Sequence, residues 1–346
     1  MTDIRNYLKN YNGPELRLME VCGTHTAQIS RCGIVRMLSP AIHLISGPGC
    51  PVCVTVTSYI DRLVELSMEP GTEVLSFGDL LRVKGSRMSL NDAKASGGRV
   101  RMLYSPMDAL SLAEKEKDSR FVFAAVGFET TAPVYAMLLE EAQKKGIRNL
   151  RLLTSLKTMP PVIDWICKNQ GGVDGFLAPG HVSVITGSRI FEPLSKKYGI
   201  PFVVSGFKGE EILTSIYALV RLRGKARVLN LYPSAVKENG NPEARKAVEK
   251  YFEPCNAAWR GMGIIQNSGL ALRVRYSHFD AGSVGLDSDQ SVNPACRCAQ
   301  VLTGALSPDQ CPLFGKVCTP RNPQGACMVS QEGSCYNYFV GGRVFQ

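Results

Sequence analysis

The chain of 346 residues contains no apolar run approaching the ~18 residues that cross a membrane as a helix. No membrane partner is therefore expected. The first ten residues, Met1-Thr2-Asp3-Ile4-Arg5-Asn6-Tyr7-Leu8-Lys9-Asn10, lack the apolar core of a secretory signal, and a cytoplasmic location is expected. There is no block of Lys and Arg, although the net charge is +10 and the sequence pI is near 9.0. Cations dispersed in this way, without interleaved aromatics, argue against nucleic acid as a partner. They remain compatible with a solvated basic surface or an acidic protein partner. No Walker A sequence and no Gly-x-Gly-x-x-Gly occurs, so nucleotide binding has no support. No Ser-His-Asp arrangement stands out, and no tract is of low complexity.

What is present is sulfur: 12 cysteines. In a reducing compartment, thiols serve metal or redox chemistry more often than structural cross-linking. The 33 Gly and 20 Pro imply many tight loops. Short apolar runs alternate with helix-like segments from Leu16 to about residue 225, the pattern of parallel βαβ units. Leu16–Val21, Ile42–Ile45, Glu73–Phe77, Val100–Tyr104, Phe121–Val126, Leu150–Ser155, Gly175–Ala178 and Phe202–Ser205 read as strands. Ala27–Arg36, Leu63–Met68, Pro106–Lys117, Pro161–Lys168 and Ile212–Arg223 read as helices. Ser86–Gly98 reads as a polar surface loop, and one helix, Pro242–Phe252, precedes a Gly-, Pro- and Cys-rich tail.

The expected fold is α/β: two Rossmann-like parallel-sheet α/β domains and a loop-rich third region. The expected boundaries are 16–118, 119–228 and 229–346, the last packed with residues 1–15. An internal echo supports two related halves. Leu44-Ile45-Ser46-Gly47-Pro48-Gly49-Cys50 resembles Phe176-Leu177-Ala178-Pro179-Gly180-His181, and each is followed by a strand ending in Phe beside Gly, at Phe77-Gly78 and Gly206-Phe207. Facing halves would bring Cys50 and His181 to one cleft. Chance likeness between two βα turns is the plainer account.

Chemistry-bearing residues cluster at the strand ends. Cys22-Gly23-Thr24-His25 sets a thiol and an imidazole three residues apart where a strand meets a helix. The helix dipole there is expected to lower the thiol pKa, and thiolate with imidazole suits zinc, iron or copper. Taken singly, each is more often a small buried hydrophobe or a hydrogen-bonded core histidine. Cys50-Pro51-Val52-Cys53 sits at the next strand–helix junction. Such a pair can close a disulfide, bind metal or shuttle between dithiol and disulfide. Without a second Cys-x-x-Cys, a zinc knuckle is disfavoured, and a redox pair or transient metal ligands are expected. Gly127-Phe128-Glu129-Thr130-Thr131 follows the most convincing strand, where it can cap a helix or handle protons. Cys32, Cys167 and Cys255 have no such company and read as structural.

Six further cysteines, Cys296, Cys298, Cys311, Cys318, Cys327 and Cys335, fall in the loop-like tail. A segment with so few large apolar residues needs cross-links or a metal. The wide spacing of Cys296, Cys311, Cys318 and Cys335, with Pro nearby, suits an iron–sulfur cubane better than zinc. Reduced structural cysteines are the third reading. Cys298 and Cys327 are then left over, and could form a dithiol/disulfide pair beside the cluster.

Taken together, Cys22 to His25, Gly47 to Cys53, Ser76-Phe77-Gly78-Asp79-Leu80-Leu81-Arg82-Val83, Gly127 to Thr131, Pro179 to Ser183 and the tail from Cys296 to Cys335 resemble the HypD family. The likeness spans almost the whole chain. Members of that family are maturation factors for nickel–iron hydrogenase, and the resemblance implies a scaffold for building the Fe(CN)2CO group. It implies work in a hetero-complex, as a monomer, with a HypC-type chaperone, and cyanide arriving through carbamoyl-transferring HypF and a HypE-type donor. Cys22 would hold the nascent iron with a partner's cysteine, and His25 would sit beside it. Cys50 and Cys53 would be a redox pair. Cys296, Cys311, Cys318 and Cys335 would bind a 4Fe–4S cluster, with Cys298 and Cys327 as a second thiol pair passing electrons. Glu129, Thr130, Thr131 and His181 would line the cleft. Val56 stands where the family usually has proline, Ala299 where it has glycine, and the stretch after Phe207 also differs. The rival from another class is a 4Fe–4S-dependent thiol–disulfide reductase acting on a protein. A zinc-stabilised binding protein is the blandest.

Overall fold

The computed structural model describes residues 2–290 and 293–342. Among them are eleven strands: β1 (Leu16–Glu20), β2 (Ile42–Ser46), β3 (Thr72–Ser76), β4 (Val100–Met102), β5 (Arg120–Gly127), β6 (Leu150–Lys157), β7 (Gly175–Pro179), β8 (Phe202–Ser205), β9 (Val228–Asn230), β10 (Phe252–Trp259) and β11 (Gly263–Leu272). They form two sheets, and the chain divides into two α/β units. No helix of the described residues is long and apolar enough to cross a membrane.

The first unit comprises Met1–Cys53, Val162–Pro242 and Ala295–Gln346. Its sheet runs β2-β1-β7-β8-β9, and every neighbouring pair is parallel. Leu16 and Leu18 of β1, Leu177 of β7 and Val203 of β8 pack with Ile29 of the helix Gly23–Arg31 and with Ile212, Ile216 and Leu219 of the helix Gly209–Arg221. Burying each such aliphatic side chain stabilises the fold by roughly 1.5–3 kcal/mol. From β1 the chain steps to β2 on one side, while β7 leads to β8 and β9 on the other. The reversal falls between β1 and β7, and in open α/β sheets the crevice at the carboxyl ends of such strands is where ligands bind.

The second unit comprises Val54–Pro161 and Glu243–Pro294. Its sheet runs β10-β11-β6-β5-β3-β4, with β6, β5, β3 and β4 parallel. The β10–β11 hairpin adds an antiparallel edge to β6. Its core joins Phe121 and Phe123 of β5, Leu150 and Leu152 of β6, and Tyr135, Leu138 and Leu139 of the helix Ala132–Lys144.

The units do not follow the boundaries 16–118, 119–228 and 229–346. Strands β1 and β2 share a sheet with β7, while β3 to β6 form the other with the hairpin from the tail. The echo is likewise not repeated in space: β7 and β8 are parallel neighbours, whereas β2 and β3 lie in different sheets. One local expectation also changes. Ser86–Gly98 is not all loop, because Leu90–Ala95 is a helix started by a capping box between Ser89 and Asp92. At the end of β7, the stretch Pro179–Ser183 turns directly into the helix Gly180–Thr186. At Val56 the backbone is extended, φ −72° and ψ 159°, a φ that proline would also hold, so valine leaves the entry to the helix Thr57–Met68 in the same conformation.

Candidate functional site

The site of the first unit is built on the carboxyl ends of β1, β2 and β7. Register sets Glu20 beside Ser46 on one side and Leu177 on the other. The loops that leave these ends therefore start side by side. The Gly47 amide donates to the Glu20 carbonyl at 2.8 Å, and the Gly23 amide to the Gly49 carbonyl at 3.0 Å. At Gly49 the two loops touch: a Cβ there would lie 2.2 Å from the Cys22 nitrogen. Glycine is what lets the Cys50 loop lie against the Cys22 backbone.

Cys22 is buried in extended backbone at the start of the helix Gly23–Arg31. The expected lowering of its pKa is not what its surroundings produce. Burial pushes the thiol up to about 12, the nearby carboxyls of Glu20 and Glu332 add to this, and the amides of His25 and Thr24 only partly oppose it. Desolvation outweighs the helix terminus. Such a thiol gives up its proton when a cation arrives to take its place.

His25 is fully buried. Its Nε2 lies 2.9 Å from the Gly206 carbonyl. A carbonyl only accepts, so Nε2 carries the hydrogen and Nδ1 keeps a lone pair. Nδ1 is buried and has no hydrogen-bond partner among the described residues. Burial depresses the imidazole to about 4, so the ring is neutral. His25 packs on Phe207 at a tilt and His181 stacks on it, with ring centroids 4.8 Å and 4.0 Å away. Phe207 leaves β8 and His181 opens the helix after β7, so neighbouring strands deliver the rings together.

Cys50 and Cys53 are joined as a disulfide, with Cα atoms 5.3 Å apart and relative exposures of 4% and 0%. The Cys53 Sγ lies 3.9 Å from the Ala326 carbonyl, so the pair reaches the residue before Cys327. In the tail, the Cys298 and Cys327 sulfurs approach to 3.0 Å. Cys327 is also hydrogen-bonded to Cys335, and these sulfur contacts with burial push its thiol far up. Burial raises Cys296 to about 12, with Cys298, Cys311 and Cys318 adding to it; Cys318 in turn feels Cys335 and Cys311. A Cβ at Gly325 would meet the Cys296 sulfur at 2.8 Å. Among the described residues, no three Cys, His, Asp or Glu side chains are gathered as a single metal ion would require.

Glu129 belongs to the second unit. Its Oε1 accepts from the Met159 amide at 2.7 Å, and its Oε2 is buried with no hydrogen-bond partner among the described residues. Burial raises it to about 7. The Thr131 hydroxyl donates to the Phe128 carbonyl at 3.1 Å, so it does not cap the following helix by accepting.

The sequence reading missed Glu20. Its Oε2 accepts from the Cys22 amide at 2.9 Å; its Oε1 accepts from the Ser46 hydroxyl at 2.5 Å and from that of Thr26. Ser334 donates to Ser46 at 2.8 Å, and Thr24 to Glu332 at 2.9 Å, which ties the tail to this edge. The available signal was a lone carboxylate closing an apolar strand two residues before Cys22. Glu20 also lines a cavity of about 670 Å³ with Thr26, Ser46, Val301, Ser334 and Tyr338.

Comparison with known proteins meets this geometry from outside. The family model HypD, described as the "Hydrogenase formation hypA family", matches residues 1–341. The chain is 41% identical over 341 residues to "Hydrogenase maturation factor HypD" of Azotobacter vinelandii, covering 95% of this chain and 90% of the relative. It is 39% identical over 332 residues to the protein of that name from Escherichia coli K12, covering 94% and 88%. A putative hydrogenase expression/formation protein of Methanocaldococcus jannaschii is 39% identical over 334 residues, covering 95% and 93%.

Proposed function

The chain belongs to the HypD family of hydrogenase maturation factors, and on that premise we propose that it is a cytoplasmic scaffold on which substrate iron acquires the ligands of the Fe(CN)2CO group. A HypC-type chaperone shares the iron, and a HypE-type protein donates cyanide. The single observation that carries this reading is the gathering of Cys22, His25, the Cys50–Cys53 disulfide and His181 at the switch point of one sheet.

Cys22 holds the substrate iron. Its burial keeps it a thiol until a cation is present, so the proton leaves as iron enters. His25 holds its Nδ1 lone pair toward the enclosed interior, fixed by the Gly206 carbonyl, and accepts a proton or a ligand contact there. The Cys50–Cys53 disulfide takes up two electrons and two protons to become a dithiol, and returns them in the reverse step. Its burial speaks against the rival reading, since a reductase of protein disulfides must present its sulfurs to a partner's disulfide.

Cys296, Cys311, Cys318 and Cys335 would hold a 4Fe–4S cluster. The donor set fits: the four thiols are linked by mutual electrostatic contact, and a cluster takes one thiolate per iron, so its ligands need not converge on a single point. When bound, such a cluster supplies electrons one at a time.

The test is anaerobic co-expression with a HypC-type partner and the cyanide-donating proteins. Infrared spectra of the purified complex should carry cyanide and carbonyl bands, lost in Cys22→Ala while the cluster's iron, about four per chain, is retained. Bands that survive Cys22→Ala would refute the iron-site assignment. A colourless protein with one tightly held zinc would refute the cluster.

A further inference from the structure

Two cations of the second unit are buried without adequate partners. Lys157, the last residue of β6, is 3% exposed, and Arg260, at the β10–β11 turn, is 8% exposed. The Lys157 ammonium has three hydrogens to give. Among the described residues it makes one hydrogen bond, to the Ser155 hydroxyl at 3.1 Å, and it lies 5.6 Å above the Trp259 ring. Its register partner on β11 is Gly269, which offers no side chain. Arg260 follows Trp259 directly. Its Nε donates to the Thr55 carbonyl at 2.8 Å, but Nη1 is 3.6 Å from Asp289, and Nη2 is buried with no hydrogen-bond partner among the described residues.

Buried charged donors are normally paired, and a donor left empty costs more than the bond it would make. Here the positive charges also burden each other. Burial first, and then Arg260, depress Lys157 to about 8, against the opposing pull of Cys255 and Asp287. Asp289 is already engaged, accepting from the Thr57 amide at 3.3 Å and the Gly261 amide at 3.1 Å. Two buried cations thus share the committed Asp289 carboxylate and the more modest pull of Asp287, and donors on both are still left without acceptors.

We propose that Lys157 and Arg260 form a binding site for a small, singly charged anion of halide or pseudohalide size. The unpartnered Nη2 and the two unused Lys157 hydrogens supply the donors, and the burial of both side chains favours a small anion. The probe is bromide, exchanged for gluconate at constant ionic strength so that general screening is held fixed. The melting temperature of the intact protein should rise with bromide and saturate, as expected for a ligand bound only by the folded state. The rise should vanish in Lys157→Met and in Arg260→Met. Crystals soaked in bromide should show an anomalous peak within contact of Lys157 Nζ and Arg260 Nη2. Lys157→Met replaces a buried cation by an apolar chain of similar length, a change that folds well in other proteins. Should Arg260→Met fail to fold, Lys157→Met and the soaked native crystal still decide. A native melting temperature indifferent to bromide, an equal rise in Lys157→Met, or no peak at this position would each overturn the proposal.

Discussion

The sulfurs of Cys298 and Cys327 lie 3.0 Å apart, each on its own short helix of the tail, Cys298–Leu302 and Ala326–Val329. Loss of two hydrogens would close them into a bond with little movement. One equivalent of a mild oxidant, added anaerobically, should therefore link Cys298 to Cys327 in peptide maps. Cys327→Ser should leave Cys298 as a countable free thiol. Cross-linking of Cys298 to any other cysteine would contradict the pairing.

Much of the molecule was legible from local pattern. The alternation of apolar runs and helices located β1 through β8 because a buried parallel strand needs a continuous apolar run. Partners were not legible. Leu18 pairs with Gly175, and no property of either residue encodes a neighbour so distant in sequence. The β10–β11 hairpin was missed because its pattern is broken by a bulge at Cys255/Ala257 and by Asn267 at φ 51°. Gly261 and Gly263, at φ 74° and 72°, were the turn signal that could have revealed it. At the site, Cys22, His25 and the Cys50 loop stood out because reactive residue types at strand ends are visible in sequence. The Cys22 pKa direction was not, since a helix start can be read locally and complete burial cannot.

The Ser89 capping box gives a control remote in function. The Ser89 hydroxyl accepts from the Asp92 amide at 3.2 Å, and the Asp92 carboxylate accepts from the Ser89 amide at 2.9 Å. Ser89→Ala should cost about 1 kcal/mol of stability by denaturant titration. Hydrogenase maturation should be unchanged, and a loss of activity without a matching loss of stability would show that this turn does more than start a helix.

At Gly49 a single methyl tests how closely the two thiol loops must approach. Its Cβ would fall 2.2 Å from the Cys22 nitrogen and 2.5 Å from the Cys22 Cα, both backbone atoms that cannot swing aside. Gly49→Ala should therefore destabilise by about 3 kcal/mol or more, well beyond an average substitution. Gly315→Ala is the comparison, because its added Cβ meets nothing within 4 Å and only its φ of 69° is unfavourable. Equal melting temperatures for the two variants would show that the Cys50 loop can retreat from Cys22 at little cost.

Glu129 sets a pH dependence whose sign follows from its burial. Its carboxyl titrates near 4.5 when exposed and is raised to about 7 in the fold, because burial disfavours the charged form. Between these values the folded chain binds a proton that the unfolded chain has released, so stability falls as pH rises from about 4.5 to about 7. The stabilisation is complete below the lower value and gone above the upper one. Glu129→Gln keeps an oxygen to accept from the Met159 amide and carries no charge at any pH. Denaturant titrations at pH 5 and pH 8 should therefore show a smaller stability loss in Glu129→Gln than in the native protein, by about 1–3 kcal/mol. Part of the slope should persist in the variant, because burial raises Glu20 to about 7 as well. Parallel pH profiles for the native protein and Glu129→Gln would mean that the carboxyl is charged in the fold at neutral pH, and that its buried Oε2 has found a partner.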